Sequence, residues 1–318
     1  MSVPSIETLG PETLVPGWTA KEEWAPFTGE ELAVAGKMKL WLGEAAFSVL
    51  AYDRIIVFIR GYAYRADWQR AAFAFLARGC EWREGYGTDS ILEGEGTSGF
   101  DAFTSPHLAQ FDRLVASSII GTDMHGHMVE LNRIFGVSVK ELMNTFTDEQ
   151  FLKQMVARRE VLRGLSNVNA RTQGKKIYKC VSIIDASGLS LAHLRSKDFH
   201  ARMRAFNELF SWFYPETTHK LVVINAPRIF TACWAIAKHF VHPITASKVT
   251  IVGHTYTKTF KELGIVLSPG IEVDSHGKLP KSVPTYRDLL AKIKAEHPLE
   301  LVTKGWVPKD DVEGLAAC

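Results

Sequence analysis

Two patterns of hydrophobic positions divide the chain. From Glu30 to about Arg83, apolar residues recur at helical spacing, and Thr28 with Glu31 three residues later forms a capping-box signature at the start. Further along, short runs of β-branched residues alternate with helical patterns, which predicts an α/β fold with a mostly parallel sheet and flanking helices. The predicted strands are residues 128–135 (MVELNRIF), 178–185 (YKCVSIID), 220–225 (KLVVIN) and 248–253 (KVTIVG).

Breaks in these patterns predict the domain organisation. Four prolines within the first 29 residues indicate an irregular arm, and Asp67 is expected to cap a second helix of the first unit. Residues 84–105 are rich in Gly, Ser, Thr and acidic residues, which is typical of a linker. We therefore divide the chain into an arm (1–29), a helical N-terminal subdomain (30–95), an α/β domain (96–285) and a partly helical C-terminal tail (286–318).

One helical segment carries large apolar groups at steps of four, three, four and three. These residues are Phe199, Met203, Phe206, Phe210 and Phe213. The spacing places all five on one helix face, and we expect that face to pack on the sheet.

The segment 228–241 (RIFTACWAIAKHFV) is apolar on nearly every side of a helix. Its apolar residues are Ile229, Phe230, Cys233, Trp234, Ile236, Ala237, Phe240 and Val241. Such a helix is either fully buried or meets something apolar other than protein, and the pattern leaves both alternatives open.

Charge and composition narrow the classes of function. The 318 residues carry a net charge of +2 and no long Lys/Arg run, so we expect no nucleic-acid partner but allow a transient visit to a membrane surface. We find no signal-peptide pattern and no run of 18 apolar residues, and the four cysteines show no CxxC spacing. These features favour a cytoplasmic protein without a zinc site or a disulfide framework.

Enzymatic motifs are missing from the sequence. No GxGxxG or Walker loop follows a predicted strand, and residues 185–190 (DASGLS) do not match GxSxG. His125-Gly126-His127 has no partner at convincing metal-ligand spacing, so we expect a solvated hairpin turn. The sequence therefore predicts a protein that is not an enzyme and has no metal or cofactor.

Short motifs in a fixed order resemble the CRAL-TRIO family of lipid-transfer proteins over roughly residues 40–265. They are DRIIVFIRGY from Asp53, CEWREGYGTDSIL from Cys80, TDMHGHMV from Thr122, DASG from Asp185, Tyr214-Pro215-Glu216, Asn225-Ala226-Pro227 and PITASKV from Pro243. Each motif is weak alone, and their order is what makes the resemblance specific. It implies a helical subdomain followed by a lipid-binding domain with an apolar gate helix.

The resemblance also implies roles for particular residues. The apolar residues of segment 228–241 would form the gate that lies on acyl chains when shut and touches the bilayer when open. The head-group site of the family falls on Arg60, Glu216, Thr245 and Lys248, and the pocket wall on Cys180, Ser182, Phe206 and Phe210. A structural ion-pair network of Arg60, Glu216 and Lys248 is the alternative for the charged positions.

Departures from the family pattern bear on the ligand. Cys180 stands where choline-binding members place a hydroxyl, and no tyrosine lies near Ser118 or Glu130. A quaternary ammonium favours an aromatic face, so these differences argue against choline.

We therefore expect a carrier of one phospholipid, most of all phosphatidylinositol. The alternative is a sensor or carrier of another hydrophobe (phosphatidylcholine, a sterol, tocopherol, a retinoid or haem) that presents it to a partner. The oligomeric state stays open.

Overall fold

The structure is a computed structural model that describes residues 5–92, 106–227, 230, 234, 238 and 243–306. Within residues 44–53, 106–109, Asp89 and Pro243, it describes only the backbone.

The described residues form a mixed α/β fold. Its helices are α1 (Gly29–Tyr62), α2 (Trp68–Tyr86), α3 (Pro106–Leu114), α4 (Val139–Thr145), α5 (Asp148–Gln173), α6 (Leu191–Arg195), α7 (Lys197–Phe213), α8 (Pro243–Ser247), α9 (Thr257–Glu262), α10 (Tyr286–Glu296) and α11 (Leu299–Thr303). Its strands are β1 (Ser118–Thr122), β2 (Met128–Asn132), β3 (Cys180–Asp185), β4 (Thr218–Ile224), β5 (Val249–Ile251) and β6 (Val266–Leu267). The predicted α/β class is confirmed.

The N-terminal helices α1 and α2 pack against each other. The predicted capping box starts α1: the Thr28 hydroxyl accepts from the Glu31 amide at 3.2 Å, and the Glu31 carboxylate accepts from the Thr28 amide at 2.8 Å. The prediction that Asp67 caps α2 through its side chain is wrong. Asp67 instead binds the Arg65 guanidinium at 2.7 Å, a stronger charge-assisted contact than a cap to a backbone amide.

The six strands form one sheet in the order β5-β4-β3-β2-β1-β6. Strands β2 to β5 run parallel, as the alternation of strands and helices predicted, whereas β1 pairs antiparallel with β2 and with β6. Sequence reasoning missed β1, which Gly121 interrupts, and β6, whose two residues are too short to show a period. The register aligns Glu130, Ser182 and Leu221 in one row across β2, β3 and β4.

The two faces of the sheet differ in chemistry. One face is apolar and closed by α9 and the segment after β6, with a core of Val129, Leu131, Val181, Ile183, Val222, Ile224, Tyr256, Phe260, Ile271 and Leu279. The opposite face turns the alternate residues of the same strands toward α5 and α7. The candidate site lies on this second face.

Helices α10 and α11, within the predicted tail, pack on α5. Tyr286, Leu290, Ile293 and Val302 are buried there with Val161 and Leu162. The carbonyl of Val302 also accepts from the Asn167 amide at 3.0 Å. The described part of the tail therefore helps to fix α5, which carries part of the candidate site.

Candidate functional site

A cavity of about 460 Å³ lies between the second face of the sheet, α5 and α7. This volume falls in the range of roughly 300–1,000 Å³ that is usual for ligand pockets. Its wall combines apolar groups (Phe75, Met155, Ile184, Phe206, Phe210, Leu221 and Ile244) with polar ones (Glu130, Asn132, Arg159, Ser182, Asn207, Glu216, Thr245 and Lys248). The cavity can therefore hold an amphipathic molecule.

A charged group formed by Glu216, Lys248 and Lys179 stands at this cavity. The Lys248 ammonium lies 3.3 Å from one carboxylate oxygen of Glu216, and the Lys179 ammonium contacts the other. Glu216 follows Tyr214-Pro215 in a turn, where it adopts a positive φ of 54°. The turn abuts α1, because a Cβ on Gly61 would lie 2.8 Å from the Cβ of Pro215.

Burial and charge oppose each other in this group. Burial raises the pKa of Glu216, but the ammonium groups of Lys179 and Lys248 outweigh it and hold the pKa below the usual value of a glutamate. Burial lowers the pKa of Lys248, and attraction to Glu216 offsets this only in part. Two cations facing one carboxylate leave a net positive charge beside the cavity.

The structure brings together three of the four predicted head-group residues. Glu216, Thr245 and Lys248 all line the cavity. Arg60 is 4% exposed and does not join them. Its guanidinium binds the Glu31 carboxylate at 3.1 Å and the backbone carbonyls of Glu22, Glu23, Ala25 and Pro26, so that it holds the N-terminal arm.

The predicted pocket-wall residues divide in the same way. Ser182, Phe206 and Phe210 line the cavity, whereas Cys180 is 1% exposed and lies behind the lining. Among the predicted gate residues, Phe230 and Trp234 are half-buried. Ile229, Cys233, Ile236, Ala237, Phe240 and Val241 lie outside the described residues.

Sequence reasoning missed Lys179 and Arg159. Lys179 stands just before the apolar strand β3, where a lysine is typical of an ordinary solvated strand end. Arg159 follows Met155 and precedes Leu162 on the buried stripe of α5. A charge on such a stripe is a signal that could have been used, because an unpaired charge is costly to bury.

His127 contradicts the expectation of a solvated turn at residues 125–127. Its ring is fully buried, with Nδ1 2.7 Å from Asp123 and Nε2 against the carboxylate of Glu23 in the arm. Burial lowers the pKa of His127, but the hydrogen bonds to Asp123 and Glu23 outweigh it and raise the pKa to about 9. His127 is therefore an imidazolium between two carboxylates.

Donor atoms of Asp123, His127 and His219 lie within 4.8 Å of one another, which raises the question of a metal. The rings of His127 and His219 stack at 4.1 Å with an interplanar angle of 18°. Lone pairs of imidazole lie in the ring plane, so two parallel rings do not aim at one ion, and both nitrogens of His127 already face carboxylates. The arrangement fits a buried ion-pair cluster better than a metal centre.

A second buried carboxylate, Glu160 of α5, joins the N-terminal helices to the α/β part. Arg83 of α2 and Arg163 each bind it at 2.9 Å, and the Tyr214 hydroxyl donates to it at 2.8 Å. Burial raises the pKa of Glu160, but the two guanidinium groups outweigh it and hold the pKa far below the usual value.

Within the described residues, no helix has the length and apolar composition needed to cross a bilayer.

Comparison with known proteins identifies a domain within the chain. Residues 113–263 match the sequence model of the CRAL/TRIO domain. The chain is 29% identical over 184 residues to the phosphatidylinositol/phosphatidylcholine transfer protein SFH4 of Arabidopsis thaliana, and 26% identical over 234 residues to the SEC14 cytosolic factor of Eremothecium gossypii. The first match covers 58% of this chain and 29% of that relative, and the second covers 73% and 71%.

A solved structure supports the fold. The crystal structure of Sfh5 superposes with a TM-score of 0.52 at 18% sequence identity, covering 77% of this chain and 82% of that one. The resemblance predicted from the ordered motifs is thereby confirmed. The protein carries a CRAL/TRIO domain at residues 113–263 and is related to the SEC14 and SFH proteins.

Proposed function

We propose that this protein encloses one phospholipid, most of all phosphatidylinositol, and exchanges it between membranes. The names of its relatives support lipid transfer, since they include a phosphatidylinositol/phosphatidylcholine transfer protein. The cavity beside the sheet supports enclosure, because its wall offers both apolar side chains and a charged group.

The observation that carries the proposal is the grouping of Glu216, Thr245 and Lys248 at one cavity. An ammonium is a charge-assisted donor to a phosphate, while a carboxylate and a hydroxyl accept from inositol hydroxyls. Lys179 adds a second cation, so the group keeps a positive charge after Glu216 is counted. In this proposal Arg60 acts on the arm and does not touch the head group.

Transfer of this kind requires no bond chemistry, so the proposed activity is not enzymatic. Exposing acyl methylenes to water costs about 0.8 kcal/mol each, which for two chains sums to well over ~10 kcal/mol. A closed cavity surrounds the acyl chains with apolar side chains after they leave the bilayer, and this removes most of that barrier. The protein is proposed to work in the cytoplasm and to visit membranes transiently. The name of one relative, a cytosolic factor, supports the cytoplasmic location.

The test combines Lys248→Ala with Glu216→Ala and measures transfer of phosphatidylinositol between vesicles. We expect transfer to be lost while the thermal unfolding transition remains cooperative. The matched control removes an exposed pair of the same charges, Lys258 and Glu262 in α9, and should transfer at the wild-type rate. Wild-type transfer by the cavity variant would contradict the head-group assignment.

A second candidate function is the carriage or sensing of another hydrophobic ligand. The polar groups Glu130, Asn132 and Arg159 in the cavity wall favour it, because acyl chains alone would not need them. Mass spectrometry of the lipids extracted from the purified protein separates the two. A sterol, retinoid or haem in place of a phospholipid would select the second candidate.

A further inference from the structure

Arg159 is a charged side chain in the wall of the cavity. It lies on α5 and faces the same space as Phe206, Phe210 and Ser182. A guanidinium stays ionised under all ordinary conditions, so the cavity holds a permanent positive charge at this point.

The contacts of Arg159 leave most of its donors unused. One nitrogen donates to the Cys180 sulfur at 3.4 Å, and the guanidinium lies 5.2 Å from the centre of the Phe210 ring. Burial raises the pKa of the Cys180 thiol, which therefore stays neutral and is a weak acceptor. Among the described residues, no carboxylate lies within ion-pair distance of Arg159.

The neighbouring Arg158 has the ion-pair partner that a buried guanidinium usually has, although its Nε and Nη1 bond to no described group. It binds the Asp112 carboxylate at 2.7 Å and the Val115 carbonyl at 3.0 Å. Arg159 has neither kind of partner within the described part of the chain, although it stands on the same helix. The difference between the two residues is that Arg159 borders the cavity, where a ligand can supply the acceptor.

Glu130 is a carboxylate that attracts Arg159, but its oxygens are hydrogen-bonded to other side chains. The Tyr286 hydroxyl donates to one of its oxygens at 2.6 Å, and the Ser182 hydroxyl lies 3.4 Å from the other. Glu130 attracts Arg159 electrostatically without forming an ion pair within 4 Å. This attraction lowers the free-energy cost of burying the guanidinium charge. It leaves the N–H groups of Arg159 available to a ligand.

We infer that Arg159 is a second anion-binding position of the cavity, separate from the Glu216–Lys248 group, which takes the phosphate or carboxylate of an enclosed lipid. This rests on the proposed function, because it assumes that a lipid enters the cavity. The same residue disfavours choline: its charge repels a quaternary ammonium, and it already lies beside the Phe210 ring that such a group would need.

The experiment presents the full chain with vesicles of phosphatidylcholine that contain phosphatidic acid, oleate or phosphatidylinositol, and measures the lipid captured by the re-isolated protein. Arg159→Met should lower the capture of phosphatidic acid and oleate about tenfold, which matches the loss of one charge-assisted hydrogen bond. Arg159→Lys should retain most of it. Arg204→Met, which removes an exposed arginine of α7, should behave as the wild type.

The outcomes separate this inference from the proposed function. If Arg159→Met captures phosphatidic acid and oleate like the wild type, or loses phosphatidylcholine to the same extent, the anion-binding position is refuted while lipid carriage stands. Capture of no lipid by the wild type would refute both. The two anion positions are independent if the Lys248→Ala, Glu216→Ala variant still captures phosphatidic acid, and loss of that capture would overturn their separation.

A measurement on the unaltered protein covers the case in which Arg159→Met does not fold. From vesicles that contain equal amounts of phosphatidic acid and phosphatidylcholine, the wild type should capture the anionic lipid in excess. Equal capture, or an excess of phosphatidylcholine, would overturn the inference.

Discussion

Glu160 and Glu216 are both buried carboxylates that face two cations, yet they do different things. Glu160 is fully buried, and two arginines and a tyrosine hydroxyl occupy its oxygens. Glu216 has two lysines as partners, its side chain is 9% exposed, and it borders the cavity. The first site is closed, whereas the second keeps an open side toward a ligand.

The difference shows that a buried ion pair does not by itself indicate whether its residues stabilise the fold or bind a ligand. Arginine presents a planar fork that saturates a carboxylate, while lysine is a point charge with rotatable donors that can turn toward another acceptor. The closed cluster joins α2 to α5 and stabilises the fold. In the cluster of Glu216, Lys179 and Lys248 at the cavity, a lysine can exchange Glu216 for a phosphate.

The largest effect is expected at the closed cluster. Glu160→Ala leaves Arg83 and Arg163 without their carboxylate in a buried site and should reduce the free energy of unfolding by about 3–5 kcal/mol. Denaturant unfolding measures this. Glu149→Ala on the exposed side of the same helix is the control and should leave the denaturation midpoint close to that of the wild type. A loss as small as that of the control would remove the structural role of Glu160.

A third buried carboxylate, Glu23, adds a dependence on pH to the comparison. Its partner His127 has a pKa raised to about 9 in the fold, above its ordinary value of 6.5. The stabilisation is therefore complete below pH 6.5 and is lost as the pH rises through 9, by about 3 kcal/mol. Unfolding curves from about pH 6 to about pH 10 measure it, and His127→Gln should show a flatter profile. Equal profiles would mean that His127 is not the titrating group.

Glu216→Gln should cost less stability than Glu160→Ala, about 1–2 kcal/mol. The cavity gives Lys248 access to water, and a glutamine still accepts a hydrogen bond from one lysine. Binding should suffer more than folding: phosphatidylinositol should raise the melting temperature of the wild type but not of this variant. Differential scanning calorimetry with and without the lipid checks both. A stability loss as large as that of Glu160→Ala would erase the distinction between the clusters.

The smallest effect is expected from Gly61→Ala. The added methyl group would lie 2.8 Å from the Cβ of Pro215, so the turn that carries Glu216 must shift slightly. We expect less than about 1 kcal/mol of destabilisation, because alanine favours the helix and offsets part of the strain. Phosphatidylinositol transfer should fall severalfold. Gly85→Ala in α2, where a Cβ meets nothing within 4 Å, is the control.

Local patterns predicted the parts of the molecule that short segments determine. The capping box at Thr28, the four parallel strands and the Phe-striped helix α7 each show a period or a cap within a few residues. The family motifs added Glu216, Thr245 and Lys248, which the structure places at one cavity. These residues lie in motifs that are themselves contiguous.

Partners on distant segments were not predictable in this way. Lys179 meets Glu216 only because β3 and β4 are neighbours, and Arg60 finds its partners in an arm more than 30 residues upstream. No spacing rule links such positions. Arg159 could have been predicted as a site residue, because a charge between Met155 and Leu162 interrupts a buried helical stripe.

The docking of the arm constrains the order in which the protein folds. One oxygen of Glu23 accepts from the amides of Tyr178 and Lys179, at 3.0 and 2.8 Å, across 155 and 156 residues of chain. Because synthesis proceeds from the N terminus, the arm leaves the ribosome before the start of β3, which supplies its binding site. Long-range contacts of this kind form late, since they close a large loop. The arm is thus made before its binding site and docks near the end of folding.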